Sequence, residues 1–475
     1  MRDWSSFDRN RPEALHWQIA ESMRSGILDG ELRPGQRLPS VRELAKELGV
    51  HRLTVFKAYE ELASSGLTQS KPGSGTFVAS EFKRKATTEM LGRILGEGPM
   101  NRFEALSDEA GLRSLASNVP DPWLFRADEF LLECYELRKG SPWIFYYAPP
   151  AGAHELCRAV AEQLTSRGLQ TSDSQIVITN GNSHSLSLAL GLLAPSQEPV
   201  AIEDPMFLAA KAWFGQRGYR YLPIPRIESE LDLGRLKSAV QKDMCKGLVV
   251  APNFGQVTGW QMNVAERQRL VDTCRDLDCA IIELASTSLV SYDGDAPPAL
   301  SNAEDDCQTI FIDDFSSSLS PGLRIGYMRL SHPQARQIET RMQSEQHSGV
   351  QFIQIALANF IERGLHKAHL ERVIPRYRSR RDRMMSSLRM HMPTGVKWTQ
   401  PQGGFSTWIE MPEGNYYGDL YIQALERGVA FSPGRMFTDR PDQDRFMRLS
   451  FGTQDPASIE EAVRILGSLV QAIAS

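Results

Sequence analysis

From about residue 115 onward the chain alternates helical patterns with short β-branched runs. The runs are Ile176-Val-Ile178, Val200-Ala-Ile202, Gly247-Leu-Val-Val250, Cys279-Ala-Ile-Ile282 and Thr309-Ile-Phe-Ile312. Continuous apolar strands of this kind are buried on both faces, and strands that alternate with helices build a mostly parallel sheet covered by helices. The expected fold of this part is therefore a large α/β domain. At 475 residues the chain is too long for one ordinary core, which leaves room for a small domain beside the large one.

Residues 13–28 place Leu15, Ile19, Met23 and Ile27 at steps of four, one apolar stripe on a helix. Arg33-Pro-Gly-Gln36 breaks it. Ser40 or Pro39 can open a second helix through Leu48, and Gly49 ends that helix. A third helix is expected over 51–65, with Val55, Ala58, Tyr59 and Leu62 inward, and Gly66 stops it. Residues 67–78 then read as two short strands around Pro72-Gly-Ser-Gly75. Helix, helix, turn, helix and hairpin make a winged helix-turn-helix, small and α+β.

The net charge of −5 means that a contact with nucleic acid must come from a local basic patch. Residues 33–57 supply one, with six basic residues against Glu43 and Glu47. The third helix is the expected recognition helix, and its first residues His51, Arg52, Leu53 and Thr54, with Lys57 a turn later, can reach base edges in a major groove. Ser40 and Arg42 precede them, and Gly73 and Gly75 let the wing's backbone approach a groove. The candidate DNA-contacting set is thus Ser40, Arg42, His51, Arg52, Thr54, Lys57, Gly73 and Gly75. Arg33-Pro-Gly-Gln-Arg-Leu-Pro-Ser-Val-Arg-Glu-Leu-Ala45, Val50-His-Arg-Leu-Thr-Val55 and Lys71-Pro-Gly-Ser-Gly-Thr-Phe-Val78 resemble the GntR regulator family over this whole segment.

Residues 80–112 are polar and irregular, with a basic start, and read as a linker with one short helix. The expected division is a DNA-binding domain at 1–79, the linker at 80–112 and the large domain at 113–475. Landmarks of the large domain resemble fold-type I aminotransferases, in the variant carried by GntR-type regulators of the MocR subfamily. They are Tyr147-Ala-Pro-Pro-Ala-Gly152, Ile178-Thr-Asn-Gly-Asn-Ser183, Glu203-Asp-Pro-Met-Phe207, Gln256-Val-Thr-Gly259, Phe315 to Tyr327 and Arg448-Leu-Ser-Phe451, in the family's order over some 330 residues.

That resemblance implies a pyridoxal phosphate site, and the chain departs from it where the chemistry is done. The cofactor needs a lysine for the Schiff base and a carboxylate to keep the pyridine nitrogen protonated. The lysine position falls on Ser317, the carboxylate position on Leu284, and the tyrosine that follows it on Ser286. Asp314 stands where a phosphate-binding serine is usual, so like charge opposes a phosphate there. Lys211 and Lys246 are the nearest lysines in sequence to these motifs, and neither matches a pocket position. No catalytic residue is therefore assigned. The resemblance keeps Tyr147 as a residue that reaches a partner's site, Gly181 and Asn182 at the phosphate turn, Phe207 against the ring, Gln256 in place of an asparagine, Arg324 for the phosphate and Arg448 for a substrate carboxylate. These seven are the candidate effector pocket.

The reading is a transcription regulator that binds double-stranded operator DNA as a homodimer. Its large domain is inactive as an aminotransferase, holds no covalent cofactor and senses a small carboxylate or amino-acid-like effector, with residual non-covalent pyridoxal phosphate left open. A pyridoxal-phosphate-dependent aminotransferase, a regulator that senses that cofactor through an unusual site, and a pure dimerisation scaffold remain alternatives. Six scattered cysteines lack the paired spacings of a metal or redox site and read as reduced thiols, so no metal is expected. No apolar run approaches a bilayer span and the first residues lack a signal-peptide pattern, which places the protein in the cytoplasm and away from membranes.

Overall fold

The computed structural model describes residues 14–28, 32, 35–64, 67–71, 74–79, 112–140, 142–194, 198–205, 214, 218–227, 230–242, 244–294, 298–300, 309–345, 349–415 and 417–474. The proposed linker, Gly73, Phe207, Lys211 and Cys307 lie outside them, apart from Leu112 at the linker's end.

The N-terminal unit holds helices α1 (Leu15–Leu28), α2 (Val41–Leu48) and α3 (Arg52–Ser64), then the antiparallel strands β1 (Thr68–Lys71) and β2 (Gly75–Val78). Ile19 and Met23 of α1 meet Leu44 and Leu48 of α2 and Val55, Ala58 and Leu62 of α3 in one buried cluster. The hydroxyl of Tyr59 donates to the carbonyl of Pro39 at 2.7 Å and ties α3 to the turn before α2. Ser40 caps α2 reciprocally: the Glu43 amide donates to Ser40 Oγ at 3.2 Å and the Ser40 amide to Glu43 Oε2 at 2.8 Å. Gly49 closes the helix in the left-handed region, at φ 62°. Ser40→Ala is expected to destabilise the winged unit by about 1 kcal/mol, read by urea denaturation. No loss would show that the cap is redundant.

After the short strand β3 (Arg113–Ser114) the main sheet begins. Its strands are β4 (Ile176–Thr179), β5 (Val200–Asp204), β6 (Tyr221–Ile227), β7 (Glu230–Leu231), β8 (Gly247–Val250), β9 (Ala280–Leu284), β10 (Thr309–Asp314) and β11 (Gly326–Arg329). Their spatial order is β4-β11-β10-β9-β8-β5-β6-β7, parallel from β10 to β6 and antiparallel at β11 and β7. Alternation along the strands serves opposite faces. Ile176, Ile178 and Phe311 pack with the helices His154–Ser166 and Gln351–Glu362. Val177, Ile310 and Ile312 pack with Asn182–Leu193 and His332–Ser344.

Sequence reading gave the region after 113 as a single α/β unit, and the structure adds a second layer. Strands β12 (Lys397–Trp398), β13 (Ser406–Glu410), β14 (Val429–Ala430), β15 (Ser432–Pro433) and β16 (Phe446–Ser450) follow. Four form an antiparallel sheet in the order β12-β13-β16-β15, while β14 pairs in parallel with β3. Their core is shared with the helices Leu365–His391 and Pro456–Ala474.

The winged unit touches the large domain through α1. The Arg126 guanidinium lies 4.2 Å from the centre of the Trp17 ring and 3.9 Å from Glu21, and it also pairs with Glu129 at 2.7 Å. Among the described residues no helix is long and apolar enough to cross a membrane.

Candidate functional site

The N-terminus of α3 presents His51, Arg52, Leu53, Phe56 and Lys57 to solvent, with Thr54 half-buried. His51 Nδ1 accepts the Leu53 amide at 3.2 Å, so this ring also closes the helix start. Arg42 is exposed on α2. Ser40 is exposed too, and its Oγ accepts the Glu43 amide as the cap of α2. Gly75 has φ 113°, and a Cβ there would lie 3.1 Å from Arg37 Nε, so the wing's turn needs glycine.

In the large domain a cavity of about 180 Å³ opens at the carboxyl ends of the parallel strands, the usual place for a ligand in such sheets. Ile202 and Glu203 of β5, Val249 and Val250 of β8, Leu284 of β9 and Asp314 of β10 form its floor. The start of the helix Asn182–Leu193, the loop 255–258, Ser286 and Arg324 complete it. Of the candidate residues, Asn182, Gln256 and Arg324 line the cavity, as do Leu284 and Ser286. Gly181 adjoins it at φ 93°, with Gly326 packed so closely that a Cβ on Gly326 would sit 2.8 Å from the Gly181 Cα. Ser317 is buried in the loop after β10 and is not among the lining residues.

Two candidates are placed elsewhere. Tyr147 is 80 % exposed and belongs to a surface group with Trp143, Phe145 and Tyr146. Arg448 is buried on β16, outside the lining; its Nη2 donates to the Ala116 carbonyl at 2.6 Å and to Ser432 Oγ at 3.1 Å, and its guanidinium lies 4.7 Å from the centre of the Phe437 ring. In the structure this guanidinium ties β16 to Ser432 of β15 and to the segment near 116. Phe207 lies outside the described residues.

Electrostatically the cavity is mixed. Glu203 is neutralised by Arg226, whose Nε and Nη2 reach Oε1 at 2.8 and 2.7 Å, and it accepts the Ala251 amide at 3.0 Å. Burial pushes the Asp314 carboxyl up to about 6, opposed by hydrogen bonds from Ser316 and the Asn182 amide and by Arg324. Asn182 Nδ2 donates to Ser286 Oγ, while Asn182 Oδ1 is buried with no hydrogen-bond partner. Sequence reading missed the contributions of Ser183, Glu203 and Thr258. Each stands inside one of the landmark motifs, which is the signal that could have found them.

These residues do not fit pyridoxal phosphate. Among the described residues no lysine lines the cavity. Lys246 is exposed just before β8, at the end of that strand opposite the cavity. Leu284 offers no carboxylate, and Asp314 puts a negative group beside the helix start where a phosphate would be held.

A family model described as bacterial regulatory proteins, gntR family, matches residues 15–78. The HTH-type transcriptional regulator YdcR of Escherichia coli K12 is 27% identical over 469 residues, covering 96% of this chain and 98% of that protein. The probable rhizopine catabolism regulatory protein MocR of Rhizobium meliloti is 26% identical, with coverage of 98% and 96%. Among solved structures, the kynurenine aminotransferase of Pyrococcus horikoshii superposes with a TM-score of 0.73 at 26% identity, over 80% of this chain and 96% of that one. The chain thus joins a GntR-family winged helix-turn-helix to a large domain with the fold of fold-type I aminotransferases, the architecture of the MocR-type regulators it resembles along nearly its full length.

Proposed function

We propose that this protein is a DNA-binding transcription regulator whose α3 reads the operator and whose large domain binds a small ligand without catalysing transamination. The observation that carries the reading is the pairing of an exposed basic helix start with a cavity that keeps its place in the fold and in which no described lining residue is a lysine. The working division is 1–79 for DNA, 80–112 as linker and 113–475 for ligand and assembly.

Homodimerisation is part of the proposal. Trp143, Phe145, Tyr146 and Tyr147 are each more than 60 % exposed, and Phe145 stacks on Phe352 with ring centres 5.5 Å apart. A clustered apolar surface of this kind suits an interface, and a second copy seated there would receive Tyr147. Sedimentation at micromolar concentration should give a dimer. A monomer would overturn this part.

The DNA reading is tested by selecting an operator from random sequences, then measuring Arg52→Ala and Lys57→Ala on operator and scrambled DNA at two salt concentrations. Loss of a bidentate guanine contact costs about 1–3 kcal/mol, roughly 5- to 150-fold, and relaxes specificity at that base. Loss of a phosphate contact weakens all sequences alike and flattens the salt slope. Arg52→Ala should show the first pattern and Lys57→Ala the second. Unchanged operator binding by Arg52→Ala would remove α3 from the role given to it.

A further inference from the structure

The start of the helix Asn182–Leu193 has the makings of an anion seat. Gly181, at φ 93°, turns the chain into the helix, and Arg324 lies against it: a Cβ on Gly181 would be 3.3 Å from Arg324 Nη2. The unpaired amides of a helix's first turn and a nearby guanidinium together favour a negative group. Here that group comes from the chain itself. Asp314, the last residue of β10 and 6 % exposed, accepts the Ser316 amide at 3.1 Å, and the nearby Ser316 hydroxyl, Asn182 amide and Arg324 favour its charged form.

The remaining polar groups ask for a donor. A carboxylate offers about four acceptor positions, and at Asp314 the Ser316 amide takes one of them. Asn182 Oδ1 is buried on the same wall without a partner, and a buried acceptor left unmet is costly. Along the floor beside Asp314, Ile202, Val249 and Leu284 are apolar. A ligand that satisfies the cavity therefore carries N–H groups at one end, an apolar body at the other, and no phosphate.

We infer that Asp314 is a built-in occupant of the cavity's anion seat, and that the cavity takes an unphosphorylated ligand bearing a protonated amine. The amine meets Asp314 and Asn182 Oδ1, and the body of the ligand lies on Ile202, Val249 and Leu284. The inference rests on the reading of this cavity as a ligand site.

The experiment uses the full chain and has two arms. In the first, inorganic phosphate and pyridoxamine 5′-phosphate are titrated into wild type, Asp314→Ser and Asp314→Asn by calorimetry, after circular dichroism has established that each variant is folded. Asp314→Ser should bind both probes at least tenfold more tightly than wild type. Asp314→Asn, which keeps the acceptor but not the charge, should gain less, and it decides the matter where the serine variant does not fold. Equal phosphate affinity in wild type and variants overturns the occupancy of the seat. In the second arm pyridoxamine, tyramine and agmatine are screened by thermal shift on wild type and Asn182→Ala. A rise in Tm with at least one amine, lost in Asn182→Ala, supports the ligand class. If no amine raises Tm, the ligand reading of the cavity fails, while the phosphate arm still decides the place of Asp314.

Discussion

Replacing Arg380 with leucine is expected to destabilise the large domain by about 3–5 kcal/mol, because it strands a buried carboxylate. Arg380 is 3 % exposed on the helix Leu365–His391, and its Nη2 reaches Asp121 Oδ2 at 2.6 Å, while Nη1 donates to the Gly452 carbonyl. Asp121, also 3 % exposed, holds the turn at Pro122–Leu124 by accepting the Trp123 amide at 2.9 Å, and its own amide donates to the Tyr377 hydroxyl at 3.0 Å. The damage should reach the cavity. Just before this turn, Asn118 Nδ2 donates to the carbonyl of Gln256, a lining residue, at 3.1 Å. Urea denaturation of wild type, Arg380→Leu and the double variant Arg380→Leu with Asp121→Asn checks the account. The double variant should recover part of the loss, since no charge is then left unpaired. If Arg380→Leu costs under about 1 kcal/mol, an amount ordinary for an exposed pair, the buried pair is not what holds this turn.

Asp313→Asn should act in the opposite direction at neutral pH and above. Burial pushes this carboxyl up to about 7, against the pull of Arg167, whose Nη1 is 4.0 Å away, and of the Tyr327 hydroxyl at 2.9 Å; neighbouring Asp314 adds to the rise. The folded state therefore holds a proton that the unfolded chain has released above its ordinary carboxylate range. Stability from this group is complete below about pH 4 and is lost as pH rises toward 7. Asparagine cannot ionise; its oxygen can keep the Asp314 amide while its Nδ2 donates to the Tyr327 hydroxyl oxygen, so the variant should exceed wild type at pH 8 by on the order of 2–4 kcal/mol and match it near pH 4. Urea titrations at pH 4.5, 6 and 8 give the slope. A variant weaker than wild type at pH 8 would mean that the Arg167 attraction outweighs the cost of burial.

How far the sequence carried differs between the two units. In the winged unit every element was legible, because Ser40, Gly49 and the turn at Gly75 mark boundaries by local chemistry and the stripe of Ile19 and Met23 is periodic. In the large domain the five β-branched runs all became strands of the main sheet. The antiparallel sheet was not foreseen, since β12 and β15 are two residues each and their pairing is set by distant partners. The cavity was legible where strand ends and Gly181 carry it. Arg448 shows the limit: its guanidinium donates to the carbonyl of Ala116, 332 positions away, and nothing near Arg448 in sequence announces that contact. Asp314 was readable as an oddity, but its hydrogen bonds required coordinates.

The seam between α1 and the large domain has a consequence for how the regulator meets its operator. Arg126 and Glu21 have partly exposed side chains, so their attraction is worth no more than about 1 kcal/mol, and the stacking on Trp17 adds roughly the same. Specific protein–DNA complexes are held by roughly 11–15 kcal/mol. On the proposed reading, the contacts of the duplex outweigh these two and can repay their loss. The seam is a latch and not a weld. Its strength sets where the head parks between encounters.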